Sequence, residues 1–142
     1  MATVHDVAAY ILKKQGKMTA IKLQKLVYYS QAWSLVWDDR PIFKDKIEAW
    51  ANGPVVRSLY NHYKGHFEVK NSIGDPNDLT RAEKDTVDAI VKHYGDKTSH
   101  YLSELTHLEA PWREARRGVA PGQPSSNVIT HSAMAEYYGG LV

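Results

Sequence analysis

Cysteine is absent from this chain, and with it go disulfides, thiolate zinc sites and cysteine nucleophiles. The absence fits a reducing compartment. No apolar run reaches the ~18 residues that a membrane span requires. The opening MATVHDVAAYILKKQGK lacks the layout of an export signal, because Lys13 and Lys14 follow the apolar stretch instead of preceding it. An excess of one charge is missing too. Lys and Arg number 18 against 16 Asp and Glu, a formal +2, short of the saturated basic face of a nucleic-acid binder. The expectation is a soluble cytoplasmic protein without a membrane partner.

What is present is core-forming material. Of 142 residues, 43% are hydrophobic, with 4 Trp and 9 Tyr, a globular composition. A chain this long hides roughly 70% of its unfolded surface in one domain. That domain is predicted over 4–138, with short termini at 1–3 and 139–142.

Helical punctuation is frequent. Residues 4–15 read as a first helix, with Val4, Val7, Ala8, Ile11 and Leu12 on one face. Thr3-x-x-Asp6 supplies a capping box, and Gly16 a stop. Residues 19–37 read as a central helix begun by Thr19. Its first half sets Ile21, Leu23, Leu26 and Val27 against Lys22, Gln24 and Lys25, and its second half is apolar nearly all round, so it is expected to be buried. The segment 41–53 suits an irregular loop or small hairpin. Gly53 and Pro54 then read as a helix start, with Val55, Val56, Leu59, Tyr60 and Tyr63 as its stripe and Gly65 as its stop. One short strand fits within 67–78. Thr80-x-x-Glu83 caps a helix to Tyr94. A further helix over about 98–108 places Tyr101, Leu102, Leu105 and Leu108 on its face. Pro111 opens a short basic turn, 118–129 reads as a loop, and Thr130 caps a last helix carrying Ala133, Met134, Tyr137 and Tyr138. The predicted fold is mainly α: a compact single-domain helical bundle around a buried central helix, with a minor β-hairpin or short strand element.

Chemistry is harder to find. His62 and His66 have ligand spacing, but Gly65 interrupts their helix; His93, His100 and His107 recur every seven residues, about 10.5 Å apart within one helix and too far for one ion. No metal site is expected. Nucleophile elbows and phosphate-cradling glycine loops are both missing. Glu68-x-Lys70, with Asp45 or Glu48 upstream, is a faint nuclease-like pattern that would hold magnesium on two carboxylates. Arg113, Arg116 and Arg117 beside Trp112 suit phosphate contact with base stacking, but three arginines on one short amphipathic turn more often make a solvated face or meet an acidic partner.

Four segments, in order, carry a resemblance: KLQKLVYYSQAWSL (22–35), PIFKDKIEAWANGPVVRSLY (41–60), YLSELTHLEAPWREAR (101–116) and NVITHSAMAEYY (127–138). They resemble the Panacea antitoxin domain of phage-associated GepA-like and SocA-like proteins, over residues 5–138. The matching positions include Lys25 and Tyr28, then Glu48, Trp50, Gly53, Pro54, Val55 and Tyr60, then His107, Pro111 and Trp112. The resemblance implies a mostly helical, non-enzymatic domain without cofactor that binds and neutralises a toxin encoded nearby. A SocA-like member instead acts as an adaptor delivering the toxin to a protease. Some relatives add a DNA-binding domain, for which this length leaves no room, so nucleic acid is not an expected partner; self-association stays open. The corner around Trp50, Gly53 and Pro54 has two readings, a fold-defining corner on the central helix or a docking surface. Because interface hot spots favour Trp, Tyr and Arg, the candidate partner contacts are Tyr60, Tyr63, Trp112, Arg113, Arg116 and Arg117.

Overall fold

The computed structural model describes residues 1–142. Its elements begin with α1 (Val4–Gln15), β1 (Met18–Thr19) and α2 (Ala20–Trp37), followed by β2 (Ile47–Trp50), β3 (Gly53–Val56), α3 (Arg57–Tyr63) and β4 (Glu68–Val69). After a 3₁₀ turn at Pro76–Asp78 come α4 (Arg81–Tyr94), α5 (Ser99–Leu108), α6 (Ala110–Ala115), β5 (Val128–Ile129) and α7 (His131–Gly139). The fold is mainly α with small antiparallel sheets.

Local signals set the helix ends. Thr3 and Asp6 exchange side-chain and backbone bonds in a capping box, and Thr80 and Glu83 do the same. Thr19 and Thr130 each accept one N–H of the first turn. These caps satisfy donors that a helix start leaves unpaired.

The helix α2 runs through the centre, buried without interruption from Leu23 to Ala32, with α1, α4, α5 and α7 packed around it. Its first half departs from the expected amphipathic split. Ile21 is 45% exposed, whereas Gln24 and Lys25 are buried. The reason for Gln24 is a backbone partner: its amide donates to Val56 O at 3.2 Å and accepts from Val56 N at 3.0 Å. Two turns on, Gln31 does likewise, donating to Phe43 O and accepting from Ile42 N, both at 2.8 Å. Two buried amides thus pin the chain that follows α2 back onto it, with their hydrogen-bonding capacity used rather than stranded.

That following chain is the expected hairpin, but with a different second arm. Gly53–Val56 is a strand, pairing Ile47 with Val56 and Trp50 with Gly53; the helix begins only at Arg57. Pro54 is therefore a strand residue and not a helix start. It lies on an edge, in the order β3-β2-β5, opposite Ala49. Ala49 turns its N–H the other way, to Asn127 O at 2.8 Å, so the Ala49–Pro54 pair needs no proline N–H. The third strand, β5, lies within the segment read as loop.

The short strand expected in 67–78 is β4, paired with β1. The face of α5 also differs from expectation: Tyr101 and Leu108 are exposed, while Leu102 and Thr106 are buried, as is Glu109 just beyond the helix. Glu109 accepts from Tyr29 at 2.6 Å and Tyr138 at 2.7 Å, and the Tyr28 and Tyr138 hydroxyls meet at 2.9 Å. This buried polar cluster joins α2 to the α5–α6 junction and α7.

Candidate functional site

The three segments with the most distinctive residues meet at one corner. Lys25, on α2, is 2% exposed and takes part in none of the ion pairs. Burial pushes its pKa down to about 8. Its stem passes directly beneath Gly53, where a Cβ would lie 2.6 Å from Cε, 3.0 Å from Nζ and 3.3 Å from Thr106 Oγ1. Gly53 also has φ +129°, backbone that suits glycine alone. Glycine is needed here for two independent reasons.

The third segment closes the corner. Trp112 donates its indole N–H to Trp50 O at 2.8 Å. His107 stacks on Trp112, with ring centroids 4.0 Å apart and planes 10° from parallel, and its Nε2 has no hydrogen-bond partner. Burial holds the His107 pKa below its ordinary value, and the positive charges of Lys25 and Arg116 act in the same direction. Pro111 is buried at the start of α6 and fixes where Trp112 emerges.

On the outer side of the hairpin, Glu48 gathers Trp50 and Arg57. It accepts from Trp50 Nε1 at 2.9 Å and from Arg57 at 2.7 and 3.2 Å. The bonds from Arg57, more than that from Trp50, hold the Glu48 carboxyl below its usual range. Arg57 also lies 5.3 Å over the Trp50 ring, and Tyr60 meets the same ring edge-on at 4.8 Å. The hairpin corner therefore packs on α2 through Gln24 and Lys25 while showing some of its rings to solvent.

Two of the six candidate contacts lie inside. Tyr63 is buried and donates to Asn71 O at 2.6 Å. Arg116 is 6% exposed and donates to Ala49 O at 2.9 Å and to Gln123 O at 2.6 Å, so it ties the 116–123 turn to β2. An arginine on a basic turn reads as surface from sequence, yet here it answers backbone carbonyls. Trp112 is half-buried, with its N–H already engaged. Tyr60, Arg113 and Arg117 are exposed.

Beside this corner runs a groove of about 840 Å³ between the start of α2, the hairpin, the end of α3 and the 119–127 segment. Its cationic lining is Lys25, Arg57 and Lys64, with His66 beside them, and no Asp or Glu lines it. Apolar lining comes from Ile21, Trp50, Val55 and Leu59, together with the ring of Tyr60. Sequence reasoning put Ile21 on the buried face of α2, weighed His66 only as a metal ligand and passed over Lys64. The only available signal was a large apolar residue, Ile21, at the second position of α2, where the buried face does not reach.

The other sequence candidates do not assemble. Glu68 sits 3.9 Å from Lys17, Asp45 accepts from Ser58 at 2.7 Å, and Glu48 is occupied as described. His62 faces His5, with ring centroids 5.6 Å apart. No three His, Asp or Glu side chains are grouped as metal ligands would be. No helix is long and apolar enough to cross a membrane.

Fold and site together define a small, mainly helical protein whose signature residues converge beside a groove without acidic lining. The chain belongs to the family described as antitoxin SocA-like, Panacea domain, whose model matches residues 23–113. That match runs from within α2 to within α6 and leaves α1 and α7 outside it. Neither the curated proteins nor the solved structures compared with the chain match it.

Proposed function

We propose that this protein is the antitoxin of a toxin–antitoxin pair and neutralises its toxin by direct contact in the cytoplasm. The observation that carries the reading is the convergence of Lys25, Trp50, Gly53, His107 and Trp112, drawn from three separated segments, next to an open groove. Motif residues brought together at a surface corner suit a binding role. Family membership supplies the class of partner. Neutralisation is steric: the corner, with exposed Tyr60, Arg113 and Arg117 and the edge of Trp112, covers the active or target-binding face of the toxin. A stable cover buries about 1,200–2,000 Å² in total.

The experiment is growth rescue. The neighbouring open reading frame is induced alone and together with this protein. Arrest by the neighbour and recovery with both supports the reading. A harmless neighbour, or arrest untouched by this chain, overturns it.

A further inference from the structure

Lys25 is an anomaly that the fold alone does not resolve. An ammonium largely removed from water is ordinarily answered within the chain by an opposite charge or a set of acceptors, and Lys25 is 2% exposed with its side chain on the wall of the groove. Neither answers it. The adjacent Gln24 has its backbone partner in Val56, yet no hydrogen bond or ion pair holds Lys25 Nζ within the chain. The surroundings nevertheless keep the lysine in place. Its stem fills the space left by the missing side chain of Gly53, and the side chain then lines the groove.

The rest of the lining repeats the imbalance. Of its cations, Arg57 is answered by Glu48 at 2.7 Å, while Lys64 belongs to none of the ion pairs. Ile21 and Tyr60 are both exposed large side chains on the same lining. The groove thus offers apolar contact along its length and one deep-set positive charge, and contributes no negative charge of its own.

We infer that this groove receives a segment of a protein partner that carries one carboxylate side chain between apolar residues, with the carboxylate seated on Lys25 Nζ. The volume suits a few side chains. A nucleic-acid strand fits less well: it brings repeated phosphates and seeks a track of exposed cations, whereas here Arg57 is already bonded to Glu48, Lys64 is the one exposed ammonium of the lining, and Lys25 is buried. The identity of the partner as the toxin rests on the function proposed above; the chemistry of the groove does not.

The test uses the full-length, isotope-labelled protein and follows the Lys25 Nζ and Cε signals by NMR, assigned with Lys25→Met. The probes are the capped tripeptide acetyl-Leu-Glu-Phe-amide, its Gln counterpart and octathymidylate. A carboxylate beside an ammonium favours the charged form, so the Glu peptide is expected to raise the Lys25 titration midpoint and perturb Ile21 and Tyr60. The Gln peptide should bind about ten-fold more weakly or worse, and Lys25→Met should bind both equally weakly. The midpoint is read on the wild type, and Lys25→Arg supplies the assignment where Lys25→Met folds poorly. An unmoved midpoint, equal binding of the Glu and Gln peptides, or a midpoint raised by octathymidylate alone overturns the inference. Growth rescue is scored separately. Rescue with an unmoved midpoint removes the groove assignment and leaves the antitoxin reading. A raised midpoint beside a harmless neighbour does the reverse.

Discussion

A methyl group on Gly53 would sit 2.6 Å from Cε of Lys25, so the glycine of the hairpin and the lysine of the central helix share one space. Gly53→Ala meets both that collision and the strain of φ +129°. Together these are expected to destabilise the fold by about 2–4 kcal/mol. Truncating the lysine in the same chain removes the collision and leaves the strain. The Gly53→Ala/Lys25→Ala double variant should therefore show a coupling of about 1–2 kcal/mol in a urea-denaturation cycle. Strict additivity would mean that the two residues do not compete for the space.

Lys25 also gives the stability a pH signature. Its folded pKa lies near 8, below the ordinary 10.5, so between these values the unfolded chain binds more protons than the folded one. Stability then rises with pH across that window and is flat below it. The full span is worth about 3 kcal/mol, although burial also raises the pKa of Tyr28 and Tyr29, and these oppose the gain above about pH 10. Urea midpoints taken from pH 7.5 to 9.5 should climb for the wild type. Lys25→Met should flatten the climb; an equal slope in both proteins would place the titrating group elsewhere.

The features legible in sequence were those whose cause is local. Threonine caps at Thr3, Thr19, Thr80 and Thr130 act on the next turn of their own chain, and all four helices begin where they indicate. What escaped was decided by distant backbone. Pro54 followed by a helical stripe reads as a helix start, until pairing with Ala49 and capture of Val56 by Gln24 draw it into a strand. The two-residue β5 carries no periodicity at all. Gln24, Lys25 and Arg116 are residue types that belong outside by default. Each is inside because groups from other segments surround it, an arrangement that no window of one chain displays.

Arg116 separates fold from surface among the basic residues of α6 and its end. Arg116→Ala withdraws the donors to Ala49 O and Gln123 O and the cation 5.2 Å over the Trp112 ring. A loss of about 2–4 kcal/mol is expected. Arg113→Ala and Arg117→Ala, on exposed positions, should stay within about 0.5 kcal/mol of wild type while weakening toxin neutralisation. Thermal melts beside growth rescue read both properties. If Arg117→Ala melts as early as Arg116→Ala, the division between supporting and contacting arginines fails.

The buried Tyr138–Glu109 bond ties stability to pH from the acidic side. Burial raises the Glu109 pKa, and the bonds from Tyr29 and Tyr138 pull it back. As pH rises past 4.5 the unfolded chain releases this proton before the folded one does, so the folded state loses stability over that interval. Tyr138→Phe removes one of the two restraining bonds and leaves the Tyr28 hydroxyl without its partner, a direct cost of about 1–3 kcal/mol. It also lets the Glu109 pKa climb further, which extends the acidic penalty upward in pH. The deficit of Tyr138→Phe should therefore be larger at pH 7.5 than at pH 4.5 in urea denaturation. Equal deficits at the two values would show that the hydroxyl contributes packing and hydrogen bonding alone, with Glu109 held ionised by other means.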